Sequence, residues 1–142
     1  RKSSVLKIAA VIALALLVKQ ITLGAFVAGL KAGFSYNNFP WMGETFFPPA
    51  SIASKPLFYN GVMLQFIHRW LAFAVLVSIV PLFYLSKSSN ETYLTKCLFA
   101  LVVLQVALGI ATLILQVPII LGVLHQFMAI IILLVIVRLL HE

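Results

Sequence analysis

The chain has 142 residues, of which 63% are hydrophobic and only 9% charged, against about 45–50% and about 25% in a typical soluble domain. Ten basic and three acidic side chains could not cover the surface of a soluble fold this rich in Leu, Ile, Val and Phe, so the composition places the chain in lipid. The net charge of +7 does not indicate nucleic acid, because the basic residues sit at the ends of apolar runs and form no stripe.

The first apolar segment covers about residues 5–30 and ends where Gly29, Lys31 and Gly33 appear. It exceeds the ~20 residues a helix needs to cross a ~30 Å hydrocarbon core. It is also longer than the roughly 7–15 residues of a secretory signal core, so no signal peptide is expected. The chain opens Arg1-Lys2-Ser3-Ser4 without an initiator methionine, and a fragment or one half of a longer protein is expected. Lys19 lies near mid-membrane in this segment, facing either the bundle interior or the inner interface. Gly24, Ala25, Ala28 and Gly29 give the small-residue spacing that suits close helix contact.

Residues 31–60 form a long connection with Pro40, Pro48, Pro49 and Pro56. Its Tyr36, Phe39, Trp41, Phe46 and Phe47 favour the membrane–water interface. A loop of this length is uncommon unless it is functional, and it is expected to fold over one end of the bundle. Glu44 is the one acid it carries.

The second segment, 61–85, ends in the polar stretch Ser86-Lys87-Ser88-Ser89-Asn90-Glu91. The third, 93–116, is stopped by Pro118, which cannot continue a helix, and the fourth, 119–140, closes at Arg138 and His141. The short link at Pro118 makes the last two an antiparallel hairpin. Lipid satisfies no free backbone groups, so all four segments must be helical. The expected fold is all-α, a polytopic membrane four-helix bundle. The single Cys97 excludes an internal disulfide and reads as a small buried hydrophobe.

Arg1, Lys2, Lys7, Lys87, Lys96 and Arg138 fall on one side of the membrane, and Lys31, Lys55 and Arg69 on the other. Six against three puts both termini inside and the long loop outside.

Ionisable groups within apolar helices are functional candidates by default. His68 follows the start of the second segment by seven residues, and His125 follows Pro118 by the same interval. At 1.5 Å per residue both lie roughly 10 Å below one membrane face, on helices running in the same direction. Two imidazoles at equal depth can face each other across a bundle and supply both axial ligands of one heme iron. The alternative is an interhelical hydrogen bond from each. No third His, Cys, Asp or Glu lies at that depth, which excludes a four-ligand zinc site.

Arg69 is a candidate partner for a heme propionate, since arginine binds carboxylates bidentately, or else an interface anchor. Gln65 shares the face of His68 and could hydrogen-bond a heme substituent or another helix. Phe66, Trp70, Phe73 and Phe127 flank the histidines and read as core. Each histidine occupies the second member of a helix pair, a weak internal repeat. A free-standing cytochrome b-type electron carrier fits these residues as well as any enzyme, and a transporter with histidines in a proton path is a third reading.

Three stretches resemble one family. Gln20 to Gly43, QITLGAFVAGLKAGFSYNNFPWMG, resembles the fifth helix and following loop of heme A synthases of the mitochondrial and alphaproteobacterial type. Leu64 to Leu71, LQFIHRWL, resembles that family's sixth helix with its heme-ligating histidine. Gln105 to Gln126, QVALGIATLILQVPIILGVLHQ, resembles the seventh helix, the proline turn and the eighth-helix histidine.

The resemblance implies an oxidoreductase of eight helices in two pseudo-symmetric halves that oxidises the C8 methyl of heme O to a formyl group, giving heme A for cytochrome oxidase. It implies that this chain is the C-terminal half, with His68 and His125 holding a heme b cofactor. The N-terminal half, with the other histidine pair and an acidic residue, would be the substrate site, so catalytic residues are not assigned here and this chain should not complete the reaction alone. The expected partners are that half, heme O, the bilayer and an unidentified electron donor, in a bacterial or mitochondrial inner membrane with the termini on the cytoplasmic or matrix side.

Overall fold

The computed structural model describes residues 4–87 and 91–141. The charges at Arg1 and Lys2, and the Ser88-Ser89-Asn90 part of the polar turn, lie outside the described residues.

Four long helices carry the fold: α1 (Ser4–Gly29), α3 (Gly61–Leu85), α4 (Thr92–Ile114) and α5 (Ile119–His141). One short helix, α2 (Ala50–Ala53), lies in the long connection. Each of the four is long and apolar enough to span a membrane, and the chain is an all-α integral membrane bundle.

The helices stand in a square. α1 packs against α3 and α5, and α4 packs against the same two, so α3 and α5 occupy one diagonal. Successive long helices alternate in direction across their connections, so α3 and α5 run parallel.

The apolar core fills one end of this square. It consists of Leu6, Ala10, Ala13 and Leu17 of α1, Val75, Ile79 and Leu82 of α3, Leu98 and Val102 of α4, and Ile132, Ile136 and Leu139 of α5. Their spacings of three and four residues mark one inward stripe per helix. All but Leu17, at the middle of α1, lie in or at the edge of the half remote from the 30–60 connection. Beside them Ser86 and Thr95 share a hydroxyl–hydroxyl bond of 2.6 Å, tying α3 to α4 at that end.

The opposite half is built differently. Its buried side chains include Gln65, Arg69, Asn60 and Thr112. α1 leaves the helix through Lys31, which takes a left-handed φ of 52°. Gly29, expected to end the segment, is its last helical residue. α3 starts on Asn60, whose side chain accepts from Met63 N at 3.1 Å and donates to Ile52 O at 2.6 Å. Pro81 does not end α3, which continues to Leu85.

α4 stops at Ile114, two residues short of the expected end. Gln116 and Val117 then adopt φ of 61° and 57°, and Val117 N donates to Thr112 O at 2.8 Å. Gly33 makes room for this turn: a methyl group there would lie 2.9 Å from Val117 Cγ2.

The connection does fold over the bundle. Phe46 contacts Trp41, Phe47 and Trp70; Phe47 contacts Phe66; and Phe39 lies against Phe73. Asn37 Nδ2 donates to Gly33 O and to Leu113 O at the end of α4. The rings of Trp41, Phe47, Phe58 and Tyr59 remain exposed at this end, as an interfacial belt requires.

Candidate functional site

His68 lies seven residues into α3 and His125 six residues into α5, both in the half without the apolar core. The two helices are diagonal and parallel.

Each ring is seated the same way on the helix beside it. A methyl group on Gly24 of α1 would lie 3.0 Å from His68 Cε1, and one on Gly109 of α4 would lie 2.8 Å from His125 Cε1. Only a residue without Cβ lets the ring approach this closely. Four residues earlier on each helix stands a glutamine. Gln20 Nε2 donates to His68 O at 2.9 Å, and Gln105 Nε2 donates to His125 O at 2.9 Å.

Nδ1 of both histidines is buried without a hydrogen-bond partner. Nε2 of each ring is not sealed in this way. Buried polar atoms in native folds nearly always have partners, so two equivalent orphans on diagonal helices call for an explanation. The donor set is chemically suited to a heme iron: two imidazoles, with no group of three or more His, Cys, Asp or Glu around them among the described residues that could hold a bare metal ion.

The other expected site residues are turned toward the loop. Arg69 is 7% exposed; its Nη1 donates to Asn38 O at 3.0 Å and Trp41 O at 3.1 Å, and its Nη2 to Tyr36 O at 2.7 Å. It is buried and clamps the loop, so it is no exposed interface anchor. Its Nε is buried without a partner. Gln65 Nε2 donates to the same Tyr36 O at 3.0 Å, and its Oε1 is likewise without a donor.

Phe66, Trp70 and Phe73 belong to the aromatic cluster under the loop. Phe127 is not core: it is 59% exposed on the outer surface of α5. Lys19 also faces outward, and Glu44 is exposed in the loop. Cys97 is only partly buried.

Four residues whose spacing alone does not tie them to the histidines thus seat them: Gln20, Gly24, Gln105 and Gly109. Gly24 was expected to serve general helix packing, whereas it seats the His68 ring, and Gly29 has nothing within 4 Å. A signal was present, since QITLG and QVALG repeat the same glutamine-to-glycine spacing.

The fold and the site together define an integral membrane four-helix bundle made of two helix hairpins, each with an inward histidine on its second helix and a Gln-x-x-x-Gly seat on its first. The model of the cytochrome oxidase assembly protein family matches residues 1–137, and the chain belongs to that family. It is 45% identical over 135 residues to a heme A synthase of Sinorhizobium medicae, covering 89% of this chain and 36% of that protein. It is 40% identical over 124 residues to a heme A synthase of Rickettsia prowazekii, covering 83% and 37%. To one of Rhizorhabdus wittichii it is 38% identical over 136 residues, covering 93% and 38%. The chain therefore spans a little over a third of the length of these relatives. No solved structure matches it.

Proposed function

We propose that this chain is the heme b-holding half of a heme A synthase, in which His68 and His125 would hold one heme iron. The observation that carries this reading is the pair of matched histidine seats on diagonal helices, in the half of the bundle away from the apolar core. The name borne by the relatives supports the assignment to heme A biosynthesis.

The residues divide the work. Gly24 and Gly109 set the depth of each ring against the neighbouring helix. Gln65 and Arg69 hold the outer loop down over the site, and Arg69 Nε–H, which has no protein partner, is left to donate to a heme propionate. The aromatic cluster of Phe46, Phe66 and Trp70 excludes water beneath the loop. A heme held here supplies reversible one-electron transfer, which suits a relay serving the oxidation of the heme O C8 methyl to a formyl group.

In this reading oxidation takes place in an N-terminal half carrying the substrate site, and neither half completes it alone. The bundle lies in a bacterial or mitochondrial inner membrane, termini on the cytoplasmic or matrix side and loop outward, following the excess of basic residues at the inner ends.

The test is complementation in cells lacking heme A synthase, with the full-length protein that contains this chain and heme A extracted and measured by chromatography. Wild type is expected to restore heme A, and His68→Ala and His125→Ala are each expected to abolish it. A protein that binds heme yet leaves heme A absent is instead a b-type electron carrier.

A further inference from the structure

The two histidine seats share a second feature. In each, the carboxamide donates through Nε2 to the backbone carbonyl of the histidine opposite, at 2.9 Å. That carbonyl has two lone pairs and accepts the amide in addition to its helical bond. The other end of each amide is unsatisfied: Oε1 of Gln20 and of Gln105 is buried with no donor. The histidine opposite lacks the complementary partner, since Nδ1 of His68 and of His125 is buried with no acceptor. One free acceptor and one free ring nitrogen thus occur at each seat, twice over, on two different helix pairs.

We infer that Gln20 and Gln105 are positioning residues for the heme ligands, each accepting the Nδ1–H of its histidine through Oε1. This rests on the heme-holding reading above. The bond fixes the imidazole tautomer with the proton on Nδ1, leaving the Nε2 lone pair for iron. A ligating histidine ordinarily donates its other N–H to such a partner, which orients the ring and raises its basicity. The amide already lies on the carbonyl of the same histidine, which puts it beside the residue it would hold.

Gln65 Oε1 is a rival acceptor for His68, since it is also buried without a donor three residues earlier on α3. The corresponding position before His125 is Gly122, which has no side-chain acceptor. Gln105 is therefore the decisive position.

The experiment measures the heme midpoint potential and the ferric electron paramagnetic resonance spectrum of the purified full-length protein, for wild type, Gln105→Leu and Gln105→Met. Methionine is close to glutamine in length and packs adaptably, so it serves if leucine prevents folding. Loss of the acceptor makes the imidazole a poorer donor to ferric iron, so the potential should rise and the g values should move in either variant. Gln20→Leu should shift both in the same direction. A purely structural tie from Nε2 to the carbonyl would lower the unfolding temperature and leave potential and g values unchanged; that result in a heme-loaded Gln105 variant overturns the inference. Wild-type protein without heme would instead defeat the underlying function, so the two failures are distinguishable.

Discussion

Single atoms decide the geometry around the histidines. Gly109 and Gly24 differ in tolerance, because the added methyl would meet Cε1 at 2.8 Å in one case and 3.0 Å in the other. Gly109→Ala is expected to push the His125 ring aside and lose most of the bound heme. Gly24→Ala should give a smaller loss, because its neighbour needs to yield only a few tenths of an ångström. Gly29→Ala, with open space around it, should keep full heme. Heme absorbance per protein and thermal unfolding together check this order. A uniform response of all three would contradict the seating argument.

At this scale the sequence was partly legible. Two intramembrane histidines at equal depth stood out because ionisable groups are rare there. Their supports did not, because glutamine and glycine in a membrane helix also serve ordinary interhelical bonding and packing. Only the contact of Gln20 with His68, 48 positions away, shows which role they play.

The helices themselves were legible by length alone, and their observed ends fall within two residues of expectation. Which face turns inward was not, because lipid and core are both apolar and the sequences show no amphipathic stripe. The early end of α4 was hidden for a different reason. Pro118 marks where a helix must stop, but Gln116 and Val117 are residues that rarely take positive φ, so nothing in their identity announces the left-handed turn. Relieving one of them is a test: Gln116→Gly removes a left-handed penalty of roughly 1–2 kcal/mol and returns part of it as chain entropy, so a modest rise in unfolding temperature is expected.

The connection between α1 and α3 depends on Arg69. Three loop carbonyls converge on its guanidinium, and charge-assisted bonds of this kind contribute roughly 1.5–3 kcal/mol each. Arg69→Lys keeps the charge but not the fork, so it cannot serve all three. Limited proteolysis should cut residues 36–47 faster in Arg69→Lys and faster still in Arg69→Leu. Equal rates in wild type and both variants would detach the loop from Arg69.

The whole molecule has two unlike ends. One is closed by the interlocked apolar residues from Leu6 to Leu139; the other carries glutamines, histidines, glycines and a clamped aromatic loop. That polarity follows from the way the chain is threaded. The two antiparallel hairpins put the start of α3 and α5 at one end, and the polar residues sit near those starts. Lys19, turned away from the bundle interior, is outside this scheme, so Lys19→Leu should leave heme content unchanged.

The most direct measurement is the optical and paramagnetic resonance spectrum of this chain, purified by itself, beside His68→Ala and His125→Ala. A bis-histidine iron between α3 and α5 predicts a low-spin heme signal in wild type that disappears in each single variant alike. A variant that keeps this signal at full strength would show that the removed imidazole was never a ligand.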